Sequence, residues 1–168
     1  MSSSDRRTFL KGAVATATVA SLAGCGFSPA HAPGGAASRL RNAVSVIEPD
    51  GRADYLMTRE LEDRLGRASV PRYDLIYAME LTKLPVAITN SNIATRYNLT
   101  GEATYALRDR ETGAVVVSGK VENFNSFSAA GSTVAVQAAE RAAEDRLVTI
   151  LADQMVARLI AGAAGLST

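Results

Sequence analysis

Between Arg72 and Phe127 the chain alternates apolar and polar residues in three successive runs, and this periodicity constrains the fold more than any other feature. In the first run Tyr73, Leu75, Tyr77, Met79 and Leu81 fall on one side, with Asp74, Ile76, Ala78 and Glu80 on the other. Successive side chains of a strand point to opposite faces, so a period of two marks a half-buried strand. Pro85 is expected to interrupt this strand after Leu84, ahead of the polar stretch Thr89 to Asn92. Ala94 to Asp109 repeats the pattern. Tyr97, Leu99, Gly101, Ala103, Tyr105 and Leu107 share one face, and Arg96, Asn98, Thr100, Glu102, Thr104 and Arg108 the other. Arg110 to Gly113 reads as a hairpin loop in which Gly113 supplies a positive φ. Val115 to Phe127 then returns antiparallel, with Val115, Val117, Gly119 and Val121 inward and Val116, Ser118, Lys120 and Glu122 outward.

Strands with one apolar face need a second layer to cover it. Ser132 to Ile160 is alanine-rich and free of internal proline and glycine, so its helix propensity is high. At ~1.5 Å per residue this helix exceeds about 40 Å, long enough to span the sheet. Its expected apolar stripe is Ala139, Ala143, Leu147, Ile150, Leu151 and Met155. A shorter helix is expected from a cap at Asp54 to about Arg67, with Tyr55, Leu56, Leu61 and Leu65 inward and a Glu60–Arg64 pair on its surface. Before it, Ala43 to Ile47 forms a short strand closed by the turn sequence Pro49-Asp50-Gly51. The order βαβββα predicts an α+β two-layer sandwich, a four-stranded mixed sheet with two helices packed on one face. The crossover helix allows the first pair to run parallel. The other sheet face is expected to be polar and open to solvent or a partner.

The N-terminus is an address. Asp5-Arg6-Arg7-Thr8-Phe9-Leu10-Lys11 fits the twin-arginine export pattern, with Arg6 and Arg7 as the signal. Gly12 to Leu22 is apolar but shorter than the ~20 residues a membrane-spanning helix needs. It ends in Leu22-Ala23-Gly24-Cys25, a lipobox, in which a small residue precedes a thiol that takes a diacylglyceryl group from a phospholipid, the phosphate headgroup leaving and the thiol proton being lost. Processing leaves Cys25 as an acylated first residue, each buried methylene contributing about 0.8 kcal/mol to anchoring. Cys25 is the one cysteine, so no internal disulfide forms. Gly26, rather than an aspartate, follows it, which favours the outer membrane, with the domain facing the periplasm. The expected organisation is a signal peptide over 1–24, a lipidated tether over 25–38, a folded domain over 39–161 and a frayed tail over 162–168. The tether is small residues, proline and glycine, with too little apolar surface to fold.

Removal of residues 1–24 leaves 144 of the 168 residues, enough for one core. The precursor charge of +1 includes Arg6, Arg7 and Lys11 against Asp5, so the mature part sits near −1, which argues against a nucleic-acid partner. The one histidine, His31, lies in the tether, and no G-x-S-x-G, H-E-x-x-H or C-x-x-C occurs. A nucleophile, a base and an orienting group are therefore not assembled. Glu60, Glu62 and Asp63 read as helix surface. No enzymatic activity, no metal and no cofactor is expected.

Cys25-Gly26-Phe27-Ser28-Pro29 resembles the start of mature lipoproteins of the LptE family, which assemble lipopolysaccharide. Asp54-Tyr55-Leu56, Tyr73-Asp74-Leu75, Arg96-Tyr97-Asn98-Leu99 with Ala103 to Leu107, Thr112-Gly113 and the terminal helix around Ala138 to Leu159 are similar to it as well. Ala30 departs from the larger residue common there, and the twin-arginine leader is not a family requirement. The resemblance implies a lipoprotein that plugs the lumen of the outer-membrane β-barrel LptD, helps it assemble, binds lipopolysaccharide and assists its delivery to the surface. Lipopolysaccharide carries phosphates, so Arg96, Arg108, Arg110 and Lys120 are candidate contacts. Two other readings are a periplasmic lipoprotein subunit of an ABC-type transporter and a lipid-anchored enzyme. Co-purification with a β-barrel, rather than with an inner-membrane ATPase complex, separates the first reading from the transporter.

Overall fold

The structure is a computed structural model, and it describes residues 32–88 and 93–165. In chain order it contains α1 (Ala36–Leu40), β1 (Val44–Val46), α2 (Arg52–Leu65), β2 (Tyr73–Ile88), β3 (Ala94–Asp109), β4 (Val115–Ser128) and α3 (Thr133–Ala163). The strands form one sheet in the order β1-β2-β3-β4. β1 runs parallel to β2, with Val44 beside Tyr73, and β2, β3 and β4 are antiparallel neighbours. This is the expected α+β fold with a mixed four-stranded sheet. α3 lies on β3 and β4, while α2 packs against α3 and β1.

The inward face follows the alternation. Tyr73, Leu75 and Tyr77 of β2, Leu99, Ala103, Tyr105 and Leu107 of β3, and Val121 and Phe127 of β4 are buried. Opposite them, α3 buries Ala143, Leu147, Val148, Leu151, Ala152, Met155, Val156, Leu159 and Ala163. Gly101 sets how close α3 comes to β3. A Cβ there would lie 2.8 Å from a Leu151 methyl, 3.0 Å from one of Leu81 and 3.1 Å from one of Leu147. Tyr77 ties the layers at one point, its hydroxyl donating to the Asp54 carbonyl at 3.0 Å beside Thr58 Oγ1 at 3.1 Å. Burial raises the Tyr77 phenol above its ordinary value.

Several expectations are corrected. α2 begins at Arg52 after Gly51, so Asp54 is not its cap but stands in its first turn, where a carboxylate favours the helix N-terminus. Tyr55 is 60% exposed, and Met57 is buried in its place. The i,i+4 series Met57, Leu61, Leu65 defines the buried stripe, and Tyr55 lies well round the helix from it. The Glu60–Arg64 pair forms at 2.8 Å.

β2 does not stop at Leu84 but passes through Pro85 to Ile88 with register irregularities around Ala87. β1 pairs only with Tyr73 to Leu75, so the rest of β2 is a sheet edge, where a missing N–H is tolerated. In β4 the register shifts opposite Leu107 and Arg108, and Val115 is left exposed rather than inward.

Both ends of the domain carry more structure than expected. α1 lies partly within the expected tether and buries Ala36 and Leu40. α3 starts where Ser132 accepts from the Ala135 N–H at 3.3 Å and continues through Gly162 and Ala163, where a frayed tail was expected. Val148 and Ala152 join its buried stripe, and Ile150 is only partly buried. The Arg39 guanidinium donates to the Ala163 carbonyl at 2.7 Å, which joins α1 to the end of α3. Arg6, Arg7, Cys25 and His31 lie outside the described residues.

Candidate functional site

The sheet face turned away from the helices is organised in rows by the strand register. Asp74 pairs with Arg108, Glu80 with Glu102, Leu84 with Asn98 and Ala87 with Arg96 across β2 and β3. Glu102 pairs in turn with Glu122, and Arg96 with Ser128, across β3 and β4. Three glutamates, Glu80, Glu102 and Glu122, therefore stand side by side. Like charges directly opposite one another on a sheet are destabilising. Lys120, one row away, answers two of them at 2.7 Å to Glu102 and 3.4 Å to Glu122. Its hydrogen bond to Glu102 is the main reason its ammonium pKa is raised. Glu80 forms no ion pair among the described residues.

Toward the β2–β3 hairpin the face changes character, contrary to the expected uniformly polar surface. Leu84, Val86 and Ile88 are about half exposed, and Phe124 is 65% exposed. Next to them an open depression of about 640 Å³ is lined by Val86, Ala87, Arg96, Asn98, Ser126 and Ser128, among others. Arg96 has no ion-pair partner among the described residues. On the helix side of the same end, Tyr97 and Phe127 stack with centroids 5.6 Å apart, and Lys83 lies over the Tyr97 ring and pairs with Glu140. An arginine, hydroxyl and amide groups and apolar side chains thus border one open hollow.

The opposite end is built on a turn that Asp109 organises. Its carboxylate accepts from the N–H groups of Glu111 at 2.9 Å and Thr112 at 3.0 Å, and from the Thr112 hydroxyl at 3.3 Å. These bonds, the Thr112 N–H foremost, hold the Asp109 carboxyl below the usual carboxylate range. Gly113 has the expected positive φ, +71°, and donates to the Asp109 carbonyl. A second open depression, of about 500 Å³, lies here between Val70, Pro71, Arg72, Arg110 and Glu111. Arg110 pairs with Asp74 at 3.1 Å and Arg72 approaches Asp109 at 3.7 Å.

The four candidate cations therefore do not converge. Arg108 and Arg110 share the Asp109 end, Lys120 is engaged by the glutamate row, and Arg96 stands at the hairpin end. Arg96 and Arg108 are both on β3, twelve residues apart, or about 40 Å at strand spacing. The glutamate row and the apolar rim beside Arg96 were missed from the alternation alone. The rim was legible as Leu84, Val86 and Ile88 around Pro85, a run of alternating apolar residues beyond the point where the strand was expected to end. Among the described residues no group of three or more His, Cys, Asp or Glu is placed to hold a metal ion. No helix among them is long and apolar enough to cross a membrane.

A family model described as LptE, lipopolysaccharide-assembly, matches residues 41–159. No curated protein matches the chain in sequence. Among solved structures, a lipoprotein from Caulobacter crescentus is similar with a TM-score of 0.65 at 22% identity, covering 78% of this chain and 97% of that one. Lipoprotein B from Nitrosomonas europaea gives 0.57 at 12% identity, covering 73% and 84%. Rare lipoprotein B from Shewanella oneidensis gives 0.55 at 11% identity, covering 71% and 92%. At these identities the structures speak for the fold.

Proposed function

Since the chain belongs to the LptE lipopolysaccharide-assembly family, we propose that it is an outer-membrane lipoprotein, acylated at Cys25, that docks in an LptD-type β-barrel and assists lipopolysaccharide delivery. The observation that carries this reading is the family match over residues 41–159, which spans every strand and nearly all of α3. The lipobox Leu22 to Cys25 supplies the anchor, and Arg6 and Arg7 direct export by the twin-arginine route. A compact two-layer domain with one uncovered sheet face suits the lumen of a wide barrel, whose interior is lined with polar groups. Polar rows in the middle of that face meet such a wall without burying unpaired apolar surface.

Of the four candidate cations, Arg96 is the one the surroundings favour for lipopolysaccharide. An amphiphile with phosphates and acyl chains needs a cation and apolar surface together. Arg96 has Val86 beside it and Leu84 in the adjoining row. A guanidinium without a carboxylate partner breaks no ion pair when it binds a phosphate bidentately. Lys120 already serves Glu102 and Glu122, and Arg110 serves Asp74.

The test is recovery of the mature lipoprotein from outer membranes with its partners identified by mass. An LptD-type barrel is expected. An inner-membrane ATPase complex in its place would refute the reading. Depletion should lower surface lipopolysaccharide and leave the barrel poorly assembled. Cys25→Ser should abolish palmitate incorporation, and Arg6→Lys with Arg7→Lys should block export.

A further inference from the structure

We propose that the end of the domain built around α1, the Asp109 turn and the end of α3 is a membrane-facing surface. It would contact anionic phospholipid headgroups of the leaflet that holds the acyl chains on Cys25. The inference rests on the lipidation reading above and adds a partner to it.

The first observation is the charge of that end. The segments 36–43, 66–74 and 108–114 carry six arginines, no lysine and three carboxylates. One of those carboxylates, Asp109, is turned inward to the hairpin backbone. The remainder of the described chain carries nine basic and thirteen acidic residues. One of the latter, Glu62 in the last turn of α2, pairs with Arg67, and with it counted this end still holds six basic against four acidic residues. The three segments form one surface. The Asn42 N–H donates to the Leu65 carbonyl at 2.7 Å, those of Arg72 and Tyr73 donate to Ala43, and that of Arg110 donates to Arg72 at 2.9 Å. Arg41 and Arg108 form no ion pair among the described residues, and Val70 stands 85% exposed beside Arg72.

The second observation is where the tether arrives. Cys25 precedes Ala32 by seven residues, a span of at most about 25 Å however they run. Ala32 leads into α1, which the Arg39–Ala163 hydrogen bond and buried Leu40 fix to this end of the domain. β3, at sixteen residues, places the hairpin end about 50 Å away. A leash this short holds the arginine end close to the headgroups. Guanidinium groups are matched to phosphate, and an anionic surface attracts basic residues within about a Debye length.

The experiment uses the full-length unacylated mature protein carrying Cys25→Ser. Its binding is measured by sedimentation with vesicles of phosphatidylcholine alone and of phosphatidylcholine with an equal part of phosphatidylglycerol. Binding to the anionic vesicles and little to the neutral ones is expected. Arg41→Gln with Arg108→Gln should weaken it about 25-fold, at roughly fivefold per arginine near the surface. Arg141→Gln with Arg146→Gln, which form no ion pair among the described residues but lie on α3, should leave it within about twofold. Equal binding to both vesicles, or equal loss in the two double variants, overturns the proposal. Palmitate labelling of the wild-type protein in cells tests the anchor separately. Labelling without preference for anionic vesicles would sink the arginine surface and keep the anchor. Preference without labelling would sink the anchor and with it the leaflet assigned here.

Discussion

The two ends of β3 carry the same kind of residue in opposite company. Arg108 sits where β1, β2, β3 and β4 all pass, three segments exchange backbone hydrogen bonds, and α1 and α3 meet over the sheet. Arg96 sits where β1 is absent, α3 has only begun, and Leu84, Val86 and Phe124 face solvent. One end buries most of its apolar residues and shows the outside mainly charge, with Val70 and Val115 exposed among it. The other keeps apolar surface uncovered around an arginine. A fold held firmly at one end can leave the other for a partner, because stability is drawn from where the two layers overlap.

Truncating equivalent side chains at the two ends tests their difference most directly. Leu107→Ala removes a fully buried side chain beside the Asp109 turn and should cost about 2–5 kcal/mol in urea denaturation. Leu84→Ala, at a position 54% exposed, should change stability by no more than about 0.5 kcal/mol. Similar losses at both would mean the hairpin end is packed as tightly as the other. Gly101→Ala probes the middle, where the ends join. Its new methyl would press on Leu81, Leu147 and Leu151, and an expected loss of about 1–3 kcal/mol is readable as a lowered Tm.

A functional contrast should run the other way. Arg96→Glu is expected to weaken lipopolysaccharide binding by about tenfold, the scale of one charge-assisted phosphate contact, while Arg108→Glu changes it less. The reverse order in equilibrium binding would move the ligand to the Asp109 end. The Asp109 end should also respond to acid. Its carboxyl is held below the usual range in the folded chain, so its contribution is present above the unfolded carboxylate value. That contribution is lost as pH falls through the folded one. Asp109→Ala should therefore destabilise at neutral pH and flatten the acid limb of the stability profile, with the two proteins converging at low pH. The smallest effect expected is at Glu80. Glu80→Gln relieves one like-charge neighbour in a row that Lys120 serves elsewhere, and should gain a few tenths of a kcal/mol.

Much of the fold was legible because alternation reports burial directly. Tyr73, Leu75, Ala103, Tyr105, Leu107 and Val121 are buried as their period of two requires, and the long uninterrupted helix covers them. Tyr55 departs from its expected inward place because an amphipathic tyrosine fits either side of a short helix, and Met57 takes its place on the stripe. Pro85 does not end the strand because a missing N–H breaks the ladder only where both neighbours need it, and β2 has one neighbour there. α1 left no trace in the pattern, since five residues hold too little periodicity to register.

The candidate contacts were found as a set of cations and separated only by the register. Periodicity placed Arg96, Arg108 and Lys120 on the outer face correctly, since face is a local property of a strand. Which of them lies beside a glutamate or an apolar rim depends on how β2 and β4 slide along β3, and that is fixed by contacts between residues distant in sequence. The expectation of a lipobox and an export leader, like the order of elements, is carried by residues adjacent in the chain. The glutamate row, the hollow at Arg96 and the gathering of six arginines at one end came only from folding. Charge alignment across strands is set by packing of the apolar face on the other side of the sheet, not by the charges themselves.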